Sequence, residues 1–507
     1  MYYYLVLISP AQIIFICMIV WALAAYSGRW CNASHVAFAI ALILIGIGGA
    51  LYFWIALFSP HLANWLRLTY LAATIYCANS AYRRGLFTRE LLIPVGILAI
   101  SSGVLTLAVI LRSDPDDILR SVANIWRPMP VDNEIPFRFA MNLWDGKIDI
   151  PLLPEWHASD RPPLQSALFL LLQLGVKPNP IRYEICSIVL QMTALPALWC
   201  VLRTIQVQKW PAIAIVIITF LAPMTIMNGI FVWPKLIAAG YLCNATVVLL
   251  SKFSITRPYL AAALFGAAFA LAQLCHGTSA FTAPAFAIIA LIRIRSNIFR
   301  KGFVAGVACV ALYLPWIGFQ KFYDPPGNRL LKYHFAGATD YTEEPFLPLL
   351  KKAYSDKSIA KIYEIRKFGV TDVVFGLIPE TYSALAVSMA DFVRRTSPPA
   401  QLLTDLRDRE FLRMIPSMGI IGILFPLVLA GFLSKRIRPL AIVVVATVAF
   451  WVATIFDPFT MTPHTGSYLV QFFTIATVGA ILAALNAWLL VPLLLLQLWA
   501  TSAVYAI

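Results

Sequence analysis

The chain has 507 residues, 60% of them hydrophobic and 12% charged, with a mean hydropathy of +0.79. That balance is too apolar for a soluble protein of this length and points to a polytopic membrane protein surrounded by lipid bilayer. A net charge of +15 would suit nucleic acid, but the cations are scattered between apolar runs and form no basic stripe interleaved with aromatics, so no nucleic-acid partner is expected.

Apolar runs of about 18 to 24 residues recur along the chain, each long enough to cross roughly 30 Å of hydrocarbon. Lipid offers backbone amides no partner, so each run is expected to be a helix. The opening "MYYYLVLISPAQIIF" lacks a basic leader and a small-residue cleavage site and reads as a retained first span. Further runs follow at about 36–58, 65–82 and 91–112, then at about 183–203, 210–227, 236–251, 258–275, 278–294 and 302–319. Four more close the chain at about 415–434, 439–456, 469–485 and 486–505. The expected fold is therefore an all-α polytopic transmembrane helical bundle of about fourteen spans. The run "PPLQSALFLLLQLG" after Arg161 supplies only about 12 residues of continuous helix, short of a crossing, and is expected to be re-entrant or to lie in the interface. The eight cysteines lie mostly in apolar runs, without a CxxC pair or metal-ligand spacing.

Alternate links between these spans fall on one face. They carry Arg29, Arg83, Arg84, Arg89, Arg203, Lys209, Lys252, Arg257, Arg293, Arg295, Arg300, Lys301, Lys435, Arg436 and Arg438, against the single acid Glu90. Such asymmetry places the basic links in the cytoplasm and the acidic loops outside a plasma (inner) membrane, on its periplasmic or extracellular face. A full crossing after Arg161 would turn the later basic links outward, so the charge pattern favours the short run as re-entrant.

Two outer segments are long, about 113–182 and about 320–414, and loops of such length usually carry function or structure of their own. The second contains "FLPLLKKAYSDKSIAKIYEIRKFG", whose apolar and basic residues suit helices on the membrane surface or an amphipathic connector. The first contains "MPVDNEIPFRFAMNLWDG", which sets Asp132 and Glu134 before a short helix opened near Pro136 and stopped by Gly146. It goes on to Asp160 and Arg161 where the chain returns to the membrane. A carboxylate there can act as general base or hold a divalent cation; equally, acids can simply solvate an outer loop.

The order "VDNEIPFRFAMNLWDGK" followed by "SDRPPLQSALFLLL" resembles the first outer loop of GT-C superfamily integral membrane glycosyltransferases, most of all the protein mannosyltransferase and aminoarabinose transferase branches. On that resemblance Asp132 takes the place of the catalytic carboxylate, Glu134 that of its acidic neighbour, and Asp160 supports the site. Asn133 separates two acids that the family often has adjacent, Arg161 replaces a lysine, and four spans rather than one precede the loop. The resemblance implies inverting transfer of a sugar from a polyprenyl-phosphate donor to a glycan, lipid or protein acceptor on the outer face, as in glycan biosynthesis at the cell envelope. It divides the chain into an added transmembrane module (1–90), a GT-C-like core (91–320) with the catalytic loop (113–182), an outer loop with surface helices (321–414) and C-terminal spans (415–507).

A leaving lipid phosphate needs cations. Arg161 and the turn "DPPGNRLLKYH", with Arg329, Lys332 and His334, are the outer-face candidates, and headgroup anchoring would use the same residues. Lys235 in "FVWPKL" is a weaker donor-phosphate candidate, for which a snorkelling lysine beside an interfacial tryptophan is the ordinary explanation. His276 and His464, at outer span ends, are further candidates to bind donor or metal, although a lone histidine is more often structural. No cofactor is required by the pattern, and Mg²⁺ or Mn²⁺ on Asp132, Glu134 or Asp160 stays open. The rival classes are a transporter or flippase of lipid-linked saccharides, and a polysaccharide ligase or polymerase. A transporter needs charges along a path through the bilayer midplane, and the spans contain almost none.

Overall fold

The computed structural model describes residues 2–31, 33–125, 129–147, 152, 157–175, 177–294, 296–325, 327–338, 342–355, 357–375, 414–456 and 466–505. All regular structure among them is helical: α1 (Tyr2–Ser27), α2 (Ser34–Phe58), α3 (Pro60–Arg83), α4 (Leu92–Arg112), α5 (Ile118–Val122), α6 (Glu134–Asp145), α7 (Leu164–Leu172), α8 (Pro180–Met192), α9 (Ala194–Thr204), α10 (Lys209–Phe220), α11 (Pro223–Ile230), α12 (Lys235–Leu250), α13 (Phe253–Thr256), α14 (Pro258–Cys275), α15 (Ala283–Arg293), α16 (Ile298–Phe322), α17 (Arg329–Ala336), α18 (Phe346–Ser355) and α19 (Ile359–Phe375), with helical stretches Pro416–Leu433, Arg438–Thr454, Leu469–Asn486 and Leu490–Tyr505 beyond them.

Eight helical stretches among the described residues are long and apolar enough to cross a membrane, and α10 with α11, bent by 62° at their junction, gives a ninth if the pair is one span. The stretches Lys235–Leu250, Gly277–Arg293 and Arg438–Thr454 are apolar but shorter. α3 has 24 residues yet is not among the eight, because His61, Asn64, Arg67 and Asn79 interrupt its apolar run. The chain is thus a helical membrane protein.

Two compact units share the chain. The first comprises residues 1–206, 228–279 and 290–327, the second 207–227, 280–289 and 328–507. Neither follows a single stretch of sequence.

In the first unit α2 lies innermost, against α1, α3, α7, α9, α12 and α14. Its glycines permit this. A Cβ on Gly49 would fall 2.7 Å from Leu168 of α7, and one on Gly46 2.6 Å from Tyr241 of α12, so neighbours seat directly on the glycine face. α7, with nine residues, is far too short to cross a bilayer, and every residue of it is buried within the protein. α6 ends as its sequence dictates, with Gly146 left-handed at φ 70° and its amide bonded back to Asn142.

In the second unit Leu469–Asn486 packs on Pro416–Leu433 and Arg438–Thr454. Gln497 accepts from the Ile420 amide at 3.0 Å and donates to the Leu221 carbonyl at 3.1 Å, joining three helical segments. Arg366 of α19 donates to the carbonyls of Val452 and Ile455 and to the Tyr354 hydroxyl, which fixes this helix to Arg438–Thr454. Leu347, Ile359 and Tyr363 of α18 and α19 remain exposed.

Candidate functional site

The segment between α5 and α6 is built around Asn133. Its side chain is fully buried, and Nδ2 donates to the Leu119 carbonyl at 2.6 Å. Its own carbonyl accepts from the Tyr183 hydroxyl at 3.2 Å. Gln165 Nε2 in turn donates to that hydroxyl and to the Val232 carbonyl, each at 2.8 Å. Buried polar groups are costly unless paired, so this network fixes residues 131–134 against α7, α8 and the turn before α12.

Asp132 leaves the network toward Arg161. Arg161 Nη2 donates to Asp132 Oδ2 at 3.1 Å, and the side chains are 16% and 17% exposed, respectively. Lys235 opens α12 with no exposed surface, its ammonium 3.4 Å from the centre of the Trp233 ring. It lies within electrostatic reach of both the Arg161 guanidinium and the Asp132 carboxylate. The snorkelling explanation of Lys235 is thereby corrected: the ammonium is enclosed by protein beside an ion pair. The turn presenting it is strained, since the β-branched Val232 holds φ 47° while Gln165 grips its carbonyl.

Glu134 and Asp160 have other partners. Glu134 pairs with Arg138 one helical turn on at 2.8 Å, on an exposed face. Asp160 is buried and accepts from the His157 amide at 3.1 Å, closing its own turn. Among the described residues no three of His, Cys, Asp and Glu are grouped so as to hold a metal ion. Asp132, Glu134 and Asp160 therefore do not form a ligand set, and no step through a metal follows from them.

His276 ends α14 buried, its Nδ1 2.7 Å from the Thr278 hydroxyl. Arg329, Lys332 and His334 belong to the second unit, on α17. Lys332 is buried and donates to the Thr342 carbonyl at 2.6 Å, while the His334 carbonyl accepts from the Phe456 amide at 2.9 Å. His464 lies outside the described residues.

Compared with family models, curated proteins and solved structures, the chain matches none.

The sequence reading gives no role to Gln165, Tyr183, His157, Gln320 or Asp324, and takes Trp233 only as an interfacial neighbour of Lys235. Gln165 and Tyr183 are polar groups set in apolar runs, which is a usable sign of a buried network. Asp324, in the "FYDPPG" turn at the end of a span, is an acid in the same stretch as the cations Arg329 and Lys332.

Proposed function

We propose that this chain is a GT-C-like membrane glycosyltransferase, working at the outer face of the plasma membrane on a polyprenyl-phosphate-linked sugar. The single observation that supports it most is the ion pair of Asp132 with Arg161 at 3.1 Å, mostly buried, with Lys235 enclosed within electrostatic reach of both. In the proposed reaction the acceptor hydroxyl attacks the anomeric carbon and the carbon–oxygen bond to phosphate breaks, with inversion. Asp132 takes the hydroxyl proton, and Arg161 and Lys235 meet the charge that develops on the departing lipid phosphate. Arg161 is shared in this scheme: as phosphate arrives the guanidinium turns toward it and releases the carboxylate. The proposal includes about fourteen spans, with the bent α10–α11 pair, the three shorter apolar helices and α3 counted as crossings, the long stretch Gly466–Ser502 counted as two, and the basic links inside.

The transporter reading gains little support. Glu184, fully buried in the 25-residue stretch Pro180–Thr204, stands four residues from one end of it, away from the middle.

The test is mass spectrometry of the polyprenyl lipid fraction from cells lacking the protein, complemented with wild type or with Asp132→Asn. Loss of the protein is expected to accumulate a polyprenyl-phosphate sugar. Asp132→Asn keeps size and most hydrogen bonding but not basicity, so its turnover should fall about 100-fold or more while donor still binds. Unchanged lipid-linked sugar in the deletion cells, with only its distribution across the membrane altered, would refute transfer in favour of transport. A normal Asp132→Asn beside a dead Glu134→Gln would move the base to Glu134.

A further inference from the structure

Asp324 lies just past the end of α16 and is 9% exposed. One carboxylate oxygen is 2.8 Å from His157 Nδ1, and the other accepts from the Ser159 amide at 2.9 Å. Gln320, in the last turn of α16, donates to the Ser159 carbonyl at 3.0 Å and also to the Gly327 carbonyl. The end of α16 thus holds both backbone polar groups of Ser159, a residue about 160 positions earlier in the chain. Inside the same turn the His157 amide donates to Asp160 at 3.1 Å. Arg161 follows directly, and its guanidinium reaches Asp132.

A long arginine side chain has many rotamers, and its head is placed only as well as its backbone is held. We propose that Asp324 and Gln320 are positioning residues that fix the 157–160 turn so that Arg161 meets Asp132 and the lipid phosphate, an assignment that rests on the reading of Arg161 given above. The carboxylate does this better than an amide would, because it accepts from two donors at once and one of them is an imidazole.

The test uses the full-length protein in nanodiscs, with sugar-free polyprenyl monophosphate as probe. Binding is measured for wild type, Arg161→Ala, Asp324→Ala and the double variant, and hydrogen exchange is followed at residues 157–161. Arg161→Ala is expected to weaken binding about 10-fold or more, and Asp324→Ala several-fold, with the double variant no weaker than Arg161→Ala, because Asp324 acts through Arg161. The Ser159 amide should exchange about 10-fold faster or more in Asp324→Ala. Asp324→Asn, which keeps size and one acceptor oxygen, should restore part of the binding, and it serves as the folding-safe variant. Unchanged exchange at Ser159, or losses that simply add in the double variant, would overturn the proposal. Wild-type binding by Arg161→Ala would instead overturn the phosphate reading, while the exchange arm reports on the turn separately.

Discussion

Asn133 is fully buried between two acids that are not, and its amide holds the Leu119 carbonyl at 2.6 Å. By fixing the backbone there it sends Asp132 toward Arg161 and Glu134 toward Arg138, so the intervening residue decides which acid meets the cations. Asn133→Ala should cost about 1–3 kcal/mol, because it removes a buried hydrogen bond and leaves the Leu119 carbonyl without that donor. Glu134→Ala should cost about 0.5 kcal/mol or less, the usual worth of an exposed pair one helical turn apart. Thermal unfolding in detergent compares the two. Equal melting temperatures for both variants would show that Asn133 does not anchor the segment.

The elements that carry these residues are held by close backbone approach. A Cβ on Gly266 of α14 would fall 2.0 Å from the Ala305 carbonyl oxygen of α16, so the two helices touch main chain to main chain. Gly266→Val must push α16 away, and overpacking of this kind costs about 1–3 kcal/mol or more. Gly306→Ala on α16 meets nothing within 4 Å and should be neutral or slightly stabilising in the same unfolding measurement. A harmless Gly266→Val would mean that the helices are not in contact there. Helix existence and some ends were legible from residue chemistry alone: Gly146 stops α6 because only a left-handed residue suits that cap. Beyond the pairing of Asp132 with Arg161, which the resemblance set in one site, the partners were not legible. Asp132, Arg161 and Lys235, like Ser159 and Asp324, lie far apart in the chain, and hydropathy says where a helix runs without saying which neighbour its end will meet. Lys235 shows the limit most plainly, since a lysine beside a tryptophan at a span end looks the same whether its ammonium faces headgroups or is enclosed.

For the molecule as a whole, orientation decides whether the cluster can meet an outer-face donor. The charge asymmetry of the alternate links, fifteen cations to one acid, favours a cytoplasmic position for them and an outer position for the segment carrying Asp132. Two exposed positions test this: Lys147, just past the Gly146 cap, and Ser296, between α15 and α16. Cysteines there are read against a background in which the half-buried Cys31, Cys77 and Cys309 have been replaced, the other five native cysteines being buried. Burial pushes the Cys31 thiol up to about 11, so even that group would label slowly at neutral pH. With a membrane-impermeant maleimide on intact cells, Lys147→Cys should label and Ser296→Cys should label only after permeabilisation. The reverse pattern would put Asp132, Arg161 and Lys235 on the cytoplasmic face. The proposed outer-face transfer would then fall, although the ion-pair geometry, which does not depend on orientation, would stand.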